Sequence, residues 1–529
     1  MIVKGNAWDG ASFLSKAMRS FGFSVGSADA DLDVSRDVLE YRSRALFNNA
    51  PFAGAAIETK CLNVVGTGLK CRPKIRAELL GISREEAKEY EKKITGLFEV
   101  WAGDKDCDAE RENNFYQLQD LALKTQLICG DCFGLRCYHE VPSSPFTLCI
   151  KLLEGNRCQN PFGISSSRKL AMGVENDENG AVVAYYFSKY PNYDVQNRSK
   201  CTETVRVNAF DVFGYRNVFH IFNQDRPNQR RGVPWLAPVI VLTKKQGQYV
   251  DSELIAALTR SFFNVFVKHN GQQTVTNPFV GNVDPAQRET PLPSQQVDPV
   301  TGVVVQDARR SAVEMSAGGI IDLGMNEEIQ VAERHTGNDS YSAFIDSVLT
   351  EVSARLGMSM EMVLKKFNTS YNAVRAAILE TWKMFRKARA NLAADFCQPV
   401  YDAFIDECVA MGILDLPGYD DPLKRKLWHR CAWIGDAPVM LDPQRETAAL
   451  KMQVDEQFTT RHDVVTQING GDYDDVLDIQ AEEMQSRRVR DLPEPGAVSK
   501  TESVSVVDDD EQRRKDDEQR KRDEDDSDA

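Results

Sequence analysis

The sequence predicts a mixed α+β chain in two textures: a half of helices and antiparallel strands, then a half built on long helices. Three observations carry this. Over the first ~210 residues, helical periodicity alternates with short runs rich in β-branched and aromatic residues. Residues 233–268 then read as one largely helical stretch of about 36 residues, able to span about 54 Å. Helical periodicity returns at 341–356 and, most strongly, at 370–411.

The elements follow in order. The N-terminal residues are rich in Gly, Ser and Ala and weakly patterned. Residues 33–62 place Val34, Leu39, Tyr41, Leu46 and Phe47, then Ala55, Ile57 and Leu62, at helical spacing. Asn48-Asn49-Ala50-Pro51 breaks this helix and starts another, which ends at Gly66-Thr67-Gly68. Ser83-Arg84-Glu85-Glu86 is a capping box and opens the next helix. A further helix runs from about 114 to 128. Strands are expected at 132–138, 146–152, 182–187 and 202–207, with Asn176-Asp177-Glu178-Asn179-Gly180 as a hairpin turn. Residues 271–319 are rich in Pro, Gln, Thr and Val and read as a small β-rich or loop module. Pro399 is expected to kink or divide the helix at 370–411. A mixed region continues to about 490, and the charged, apolar-poor segment from 491 reads as disordered. No internal repeat is visible.

Composition narrows the classes. A chain of 529 residues suits several domains, and a hydrophobic share of 42% can fill real cores. The longest apolar stretch, near 233–242, is interrupted by Pro234 and Pro238 and falls short of the ~20 residues of a membrane span. The N-terminus lacks a charged-then-apolar signal pattern, so synthesis in the cytoplasm and no membrane partner are expected. The 12 cysteines have no repeating spacing and read as reduced, mostly buried thiols. The net charge is −15; residues 508–529, with 12 acidic and 6 basic side chains, supply −6 of it. The acidic balance argues against tight phosphate binding over a broad surface. It is compatible with a protein past which DNA slides.

Catalytic signatures are missing, so no catalytic, cofactor or metal residue is assigned and the chain is not expected to be an enzyme. Gly66-Thr67-Gly68-Leu69-Lys70 lacks P-loop spacing and reads as a helix end. Cys129-Gly130-Asp131-Cys132 is a single C-x-x-C; without a second pair it reads as a helix-to-strand junction with two small buried thiols. His139, His220, His269, His335, His429 and His462 fall in no ligand spacing. Asp472, Asp474, Asp475 and Asp478 could hold Mg²⁺ but read more simply as solvated surface acids.

Three stretches resemble the lambda-type phage portal family. The first is Asn48-Asn49-Ala50-Pro51-Phe52-Ala53-Gly54-Ala55-Ala56-Ile57 with Asn63-Val64-Val65-Gly66-Thr67-Gly68-Leu69. The second is His220-Ile221-Phe222 followed by Asp225-Arg226-Pro227-Asn228-Gln229-Arg230-Arg231-Gly232-Val233-Pro234-Trp235-Leu236-Ala237-Pro238, the most specific of the three. The third is Asn368-Thr369-Ser370-Tyr371-Asn372-Ala373-Val374-Arg375-Ala376-Ala377-Ile378-Leu379-Glu380, where Asn372 replaces the family's usual Ser. The matches run in family order from about 40 to 490 and exclude the charged tail. Asn48, Asn49, Pro51, Gly66, Gly68, Arg226, Pro227, Gln229, Arg231, Gly232, Pro234, Tyr371, Arg375 and Glu380 are therefore taken as structural signature residues.

The resemblance implies a ring of about twelve subunits at one capsid vertex, through which double-stranded DNA is packaged and later ejected. It implies a flexible segment at 1–32, an α+β wing at 33–232, a stem helix at 233–268 and a β-rich clip at 269–335. A returning stem helix at 336–357, a tunnel loop at 358–370, a wing/crown helix at 371–411 and a crown at 412–490 follow, before the disordered tail at 491–529. Implied partners are the terminase large subunit, major capsid and scaffold proteins, head-completion or tail-connector proteins, and DNA held without regard to sequence. Lys365, Lys366 and Asn368 are the candidate channel-facing residues, because ring closure repeats a cation at every subunit around the bore. For Arg226, Gln229, Arg230 and Arg231 two readings stand: ion pairing between subunits with turn structure, or DNA contact. Pro227, Gly232 and Pro234 favour the first, since they mark a turn entering a helix. The rival functions are another head-to-tail connector or minor capsid protein, or a phage nuclease.

Overall fold

The computed structural model describes residues 26–142, 144–190, 203–261, 265–269, 327–331, 339–367, 370–437, 442–469 and 473–490. The chain divides into two compact units, Met1–Gly68 with Arg76–His429, and Leu69–Ile75 with Arg430–Ala529.

The first unit begins with three short helices. They are α1 (Ala28–Asp33), capped by the Ser27 hydroxyl, α2 (Arg36–Asn49) and α3 (Pro51–Val64). Pro51 stands in the first turn of α3, where its missing N–H costs nothing, so the break after Asn49 falls where the sequence placed it. β1 (Lys70–Pro73) belongs to the second unit. α4 (Ala77–Leu80) leads to α5 (Arg84–Gly103), whose Ser83–Glu86 capping box is fully formed. α6 (Phe115–Cys129) carries a second such box, from Asn114 and Gln117.

The strands β2 (Asp131–Tyr138), β3 (Leu148–Glu154), β4 (Leu170–Ala171), β5 (Val174–Asn176), β6 (Val182–Ser188), β7 (Thr204–Asn208) and β8 (Val218–Phe222) make two antiparallel sheets. Their orders are β3-β2-β8 and β4-β5-β6-β7. One face of the three-stranded sheet meets the other sheet through Phe133, Leu153, Cys158, Val174, Tyr185, Phe187 and Val218, all buried. The other face meets α6 and the helix that runs through Phe396. There a chain of aromatic rings closes the core: Phe98 lies 5.3–5.7 Å from Trp101, Phe115, Tyr401 and Phe404.

Two long helices follow: α7 (Ile240–Ser261), and α8 (Asp339–Leu356) after the strands β9 (Val265–His269) and β10 (Glu327–Val331). The expected helix at 233–268 is thus shorter. A 3-10 turn at Ala237–Val239 precedes it, and it gives way to a strand at Val265. The β-branched and aromatic run Val265-Phe266-Val267 prefers a pleated surface, and β9 pairs antiparallel with β10, Val267 opposite Ile329. Apart from those two strands, the module expected at 269–335 lies outside the described residues.

The segment 358–370, expected as a loop, contains a short helix α9 (Met360–Leu364), capped by Ser359. α10 (Tyr371–Leu392) and α11 (Gln398–Ala410) are joined through a π-helical turn, Ala393–Cys397. Proline removes one donor and its ring presses on the carbonyl four residues back, so the wider turn before Pro399 lets the helix pass it without breaking. α12 (Pro422–Trp428) ends the unit.

In the second unit β1 pairs antiparallel with β11 (Cys431–Ile434), Lys70 opposite Ile434. α13 (Pro443–Asp455), α14 (Arg461–Asn469) and α15 (Tyr473–Val489) complete it. Among the side chains described from 430 to 490, none is buried.

Phe98 is fully buried at the centre of the aromatic chain. Phe98→Ala is expected to cost about 3–5 kcal/mol, combining lost transfer energy with the cavity left behind. Chemical denaturation followed by tryptophan fluorescence checks it.

Candidate functional site

The signature turn, residues 225–234, is built around one buried ion pair. Asp131 opens β2 and Arg231 lies in the turn, and both side chains are sealed from solvent. Arg231 Nε donates to Asp131 Oδ2 at 2.9 Å. Its remaining nitrogens donate to the carbonyls of Cys158 (2.8 Å), Met172 (2.7 Å) and Gly155 (2.5 Å). Asp131 Oδ1 accepts from His220 Nε2 at 2.8 Å and from the Gly232 amide at 2.7 Å. Burial alone would raise the Asp131 carboxyl, but Arg231, His220 and the Gly232 amide outweigh it and bring it down to about 2. Burial lowers His220 in spite of Asp131, so a neutral ring sits between Phe133 and Phe222, 4.3 and 4.1 Å from their centroids.

Close approach of two glycines makes this possible. A Cβ on Gly232 would overlap the Gly130 carbonyl oxygen, and one on Gly130 (φ 94°) would meet Gly232. The C-x-x-C therefore serves as the helix-to-strand junction the sequence indicated. Burial, with Glu40 nearby, pushes the Cys129 thiol up to about 12, and burial also raises Cys132, so neither is a ready nucleophile.

The rest of the signature turn is held within the chain. Gln229 Oε1 accepts from the amides of Asp225 (3.0 Å) and Arg226 (3.1 Å), and its Nε2 donates to the Arg231 carbonyl at 2.7 Å. Arg226 pairs with Asp31 at 2.9 Å and Arg230 with Asp29 at 3.0 Å, both from α1. Within the chain these contacts are those of a structured turn fastened to α1 by two ion pairs. Arg226, Arg230 and Arg231 each have a carboxylate partner within the chain. Behind Pro234, Trp235 lies under the buried Lys60 ammonium, 4.1 Å from the ring centroid, and burial lowers that amine to about 8.

The other signature residues are spread through the first unit. Asn48 and Asn49 end α2, and the Asn49 amide donates to the Ala45 carbonyl. Gly66 (φ 59°) and Gly68 (φ 113°) close α3, and a Cβ on Gly68 would overlap Tyr116. Tyr371 starts α10, Arg375 lies within it, and Glu380 pairs with Lys383.

Lys365 and Lys366 lie just after α9. Both are exposed, and Lys365 takes φ 53° as the C-cap. Neither has an ion-pair partner among the described residues. Val363 is buried, α9 packs on α3, and the Ser359 amide donates to Thr381 of α10, so two cations are offered to solvent from an anchored helix end. Asn368, the third channel-facing candidate, lies outside the described residues, as does Asp472. Among the described residues no cluster of His, Cys, Asp or Glu is placed to hold a metal ion, and no helix is long and apolar enough to cross a membrane.

Sequence reasoning missed Asp131 and passed over His220 as a lone histidine. His220 opens the second resembling stretch, two residues before the end of β8, whereas the close approach at Gly130 that places Asp131 is visible only in the structure.

A family model described as phage portal protein, lambda family, matches residues 15–389. The chain belongs to that family. It is 23% identical to Portal protein B of Escherichia phage lambda over 499 residues, covering 92% of this chain and 90% of that protein. It is 22% identical to the portal protein of Escherichia phage N15, covering 89% and 88%. Among solved structures, a chain of the neck of an empty GTA particle computed with C6 symmetry aligns at TM-score 0.46 and 11% identity, covering 84% of this chain and 93% of that one. As a phage portal protein the chain is a structural component of the virion rather than an enzyme.

Removing one partner of the buried pair strands the other charge. Asp131→Asn is expected to destabilise the portal protein by about 3–5 kcal/mol. The wild-type contribution is complete above the ordinary Asp value of 3.8 and is lost as the pH falls through about 2. Urea titrations of both proteins across the acid range measure it.

Proposed function

We propose that about twelve copies close into a ring at one capsid vertex, that double-stranded DNA passes through its bore, and that Lys365 and Lys366 touch the moving phosphates. The observation that carries this is the pair of exposed cations on an anchored helix end, without an ion-pair partner among the described residues, in a chain of the portal family. A ring repeats them at every subunit, giving weak, sequence-independent contacts inside an otherwise acidic protein. Such contacts break and re-form as DNA advances.

In this reading residues 33–232 form the wing, and α7 with α8 the stem. α7 and α8 pack together through Tyr249, which stacks on Tyr341 (5.8 Å) and meets Phe344 edge-on (4.8 Å). Leu254, Ile255 and Leu258 on α7 face solvent in the single chain and supply apolar surface for neighbouring stems. The module at 269–335 becomes the clip, docking the terminase large subunit and later the head-completion or tail-connector proteins. Residues 358–370 line the tunnel, 371–411 return through wing to crown, 412–490 form the crown, and the outer surface meets capsid and scaffold proteins.

Negative-stain electron microscopy with mass determination is the first test. Closed rings of about twelve subunits with a central hole are expected; a species that stays monomeric at high concentration and in the presence of scaffold overturns the reading. Particles carrying Lys365→Ala/Lys366→Ala are expected to retain packaged DNA several-fold less well, with a weaker dependence on salt. Normal packaging and retention by those particles would remove the two lysines from the mechanism.

A further inference from the structure

Helix α2 is built inside out. The residues it buries are Arg36, Glu40 and Ser43. Its apolar residues lie outside: Val34, in the turn just before α2, is 87% exposed, and Val38 and Tyr41 are 47% exposed. Ala45, one turn further on, is exposed as well. The intervals are four, three and four residues, the spacing of a seam that packs on another helix. A single apolar residue at the surface is ordinary. A stripe of them, on a helix that buries its polar side chains, marks a contact face.

The buried polar groups fix this orientation. Arg36 donates to the Gly155 carbonyl at 3.3 Å, and Glu40 accepts from Arg44 at 3.0 Å and from Asn156 at 3.1 Å. Turning the stripe inward would break these bonds and strand two buried charges.

α10 carries a stripe of the same rhythm. Asn372, Ala376, Leu379, Lys383 and Arg386 are all exposed, at intervals of four, three, four and three. Small residues come first along α10, then Leu379, then the cations Lys383, Arg386 and Lys387. The α2 stripe runs the other way, with Asp33 and Asp37 at its start and Tyr41 and Ala45 after them. α3 packs on both α2 and α10 and is itself covered, with Phe52, Ala53, Ala56, Ile57 and Cys61 buried. Because both stripes are exposed, they do not meet each other within one chain.

Laid antiparallel, the two stripes register. Asp33 falls opposite Lys387, Asp37 opposite Lys383, Tyr41 opposite Leu379 and Ala45 beside Ala376, while Arg42 comes next to Glu380. Each of these charge pairs is of opposite sign. The lengths agree: from Asp33 to Ala45 is about 18 Å of helix, and from Ala376 to Lys387 about 17 Å. A parallel arrangement would instead set the two aspartates against alanines and leave the cations without a carboxylate. The seam joins two different faces, so each copy offers both and touches two neighbours. A head-to-tail contact of that kind runs on from copy to copy and closes into a ring.

We propose that the partner of α2 is a second copy of this chain: α2 of one subunit packs antiparallel on α10 of the next, and the contact repeats around the assembly. This rests on the ring reading given above and names the surfaces that close the ring.

The test uses full-length protein. Unlabelled and heavy-isotope-labelled chains are mixed before assembly, and the rings are treated with a carbodiimide, which joins carboxylates to amines in contact. The expected result is a set of cross-links from Asp33 or Asp37 to Lys383 or Lys387 that includes light–heavy pairs, which only a contact between chains produces. Charge reversal gives the second arm. Among the described residues neither Asp33 nor Lys387 has an ion-pair partner. Asp33→Lys and, separately, Lys387→Glu are each expected to lower the ring fraction several-fold at fixed concentration, and the two together to restore it. Rings that survive both reversals, or that lack light–heavy links between these residues, overturn the pairing while the ring itself stands. Links from Asp33 or Asp37 to Lys4 or Lys16 within one isotope pool would show the stripe covered by its own N-terminal segment, and overturn it too. Wild-type chains that form no ring at all overturn the ring reading, and the pairing falls with it. Should a charge-reversed chain fail to fold, the cross-links of the unaltered protein decide alone.

Discussion

The first unit depends on a charge that cannot be switched off. Arg231 stays protonated at any pH a protein meets, so once buried it must be paired and its remaining donors must be satisfied. Asp131 supplies the charge, and three backbone carbonyls from two loops supply the acceptors. Those demands tie the start of β2, the turn after β3 and the loop before β5 to one point. The turn that leads into α7 is tied there too, because Arg231 belongs to it. Arg231, His220 and the Gly232 amide together hold the Asp131 carboxyl below its ordinary range in spite of its burial.

Local signals in the sequence were reliable where the residue itself dictates geometry. Pro51, the Ser83–Glu86 box, the hairpin turn at 176–180 and the glycine-bounded C-x-x-C junction all fall where their chemistry requires. Long-range features were less legible. The helix from 233 ends early because a strand partner some sixty residues away claims Val265–His269, and periodicity carries no information about such a partner. β1 and β11 pair across most of the chain and went unseen for the same reason. The site divided likewise. The string around Arg231 was visible as a motif, yet its acidic partner was not, because a lone aspartate at a strand start looks like any other. Lys365 and Lys366 were legible as charge; their anchoring by Ser359, Val363 and α3 required coordinates.

The helices α13 to α15 leave a different kind of trace. They carry Met452, Ile479 and Val489 to the surface, with Phe458 exposed in the turn between α13 and α14, and none of the side chains described beyond 430 is buried. Helices of this length gain little from hydrogen bonding alone, since nucleation is costly and propagation nearly neutral. Their free energy is then set by mass action. Each surface that comes to cover them adds a binding term that grows with the logarithm of its concentration. For this stretch of chain, how folded it is and how crowded its neighbourhood is become the same quantity.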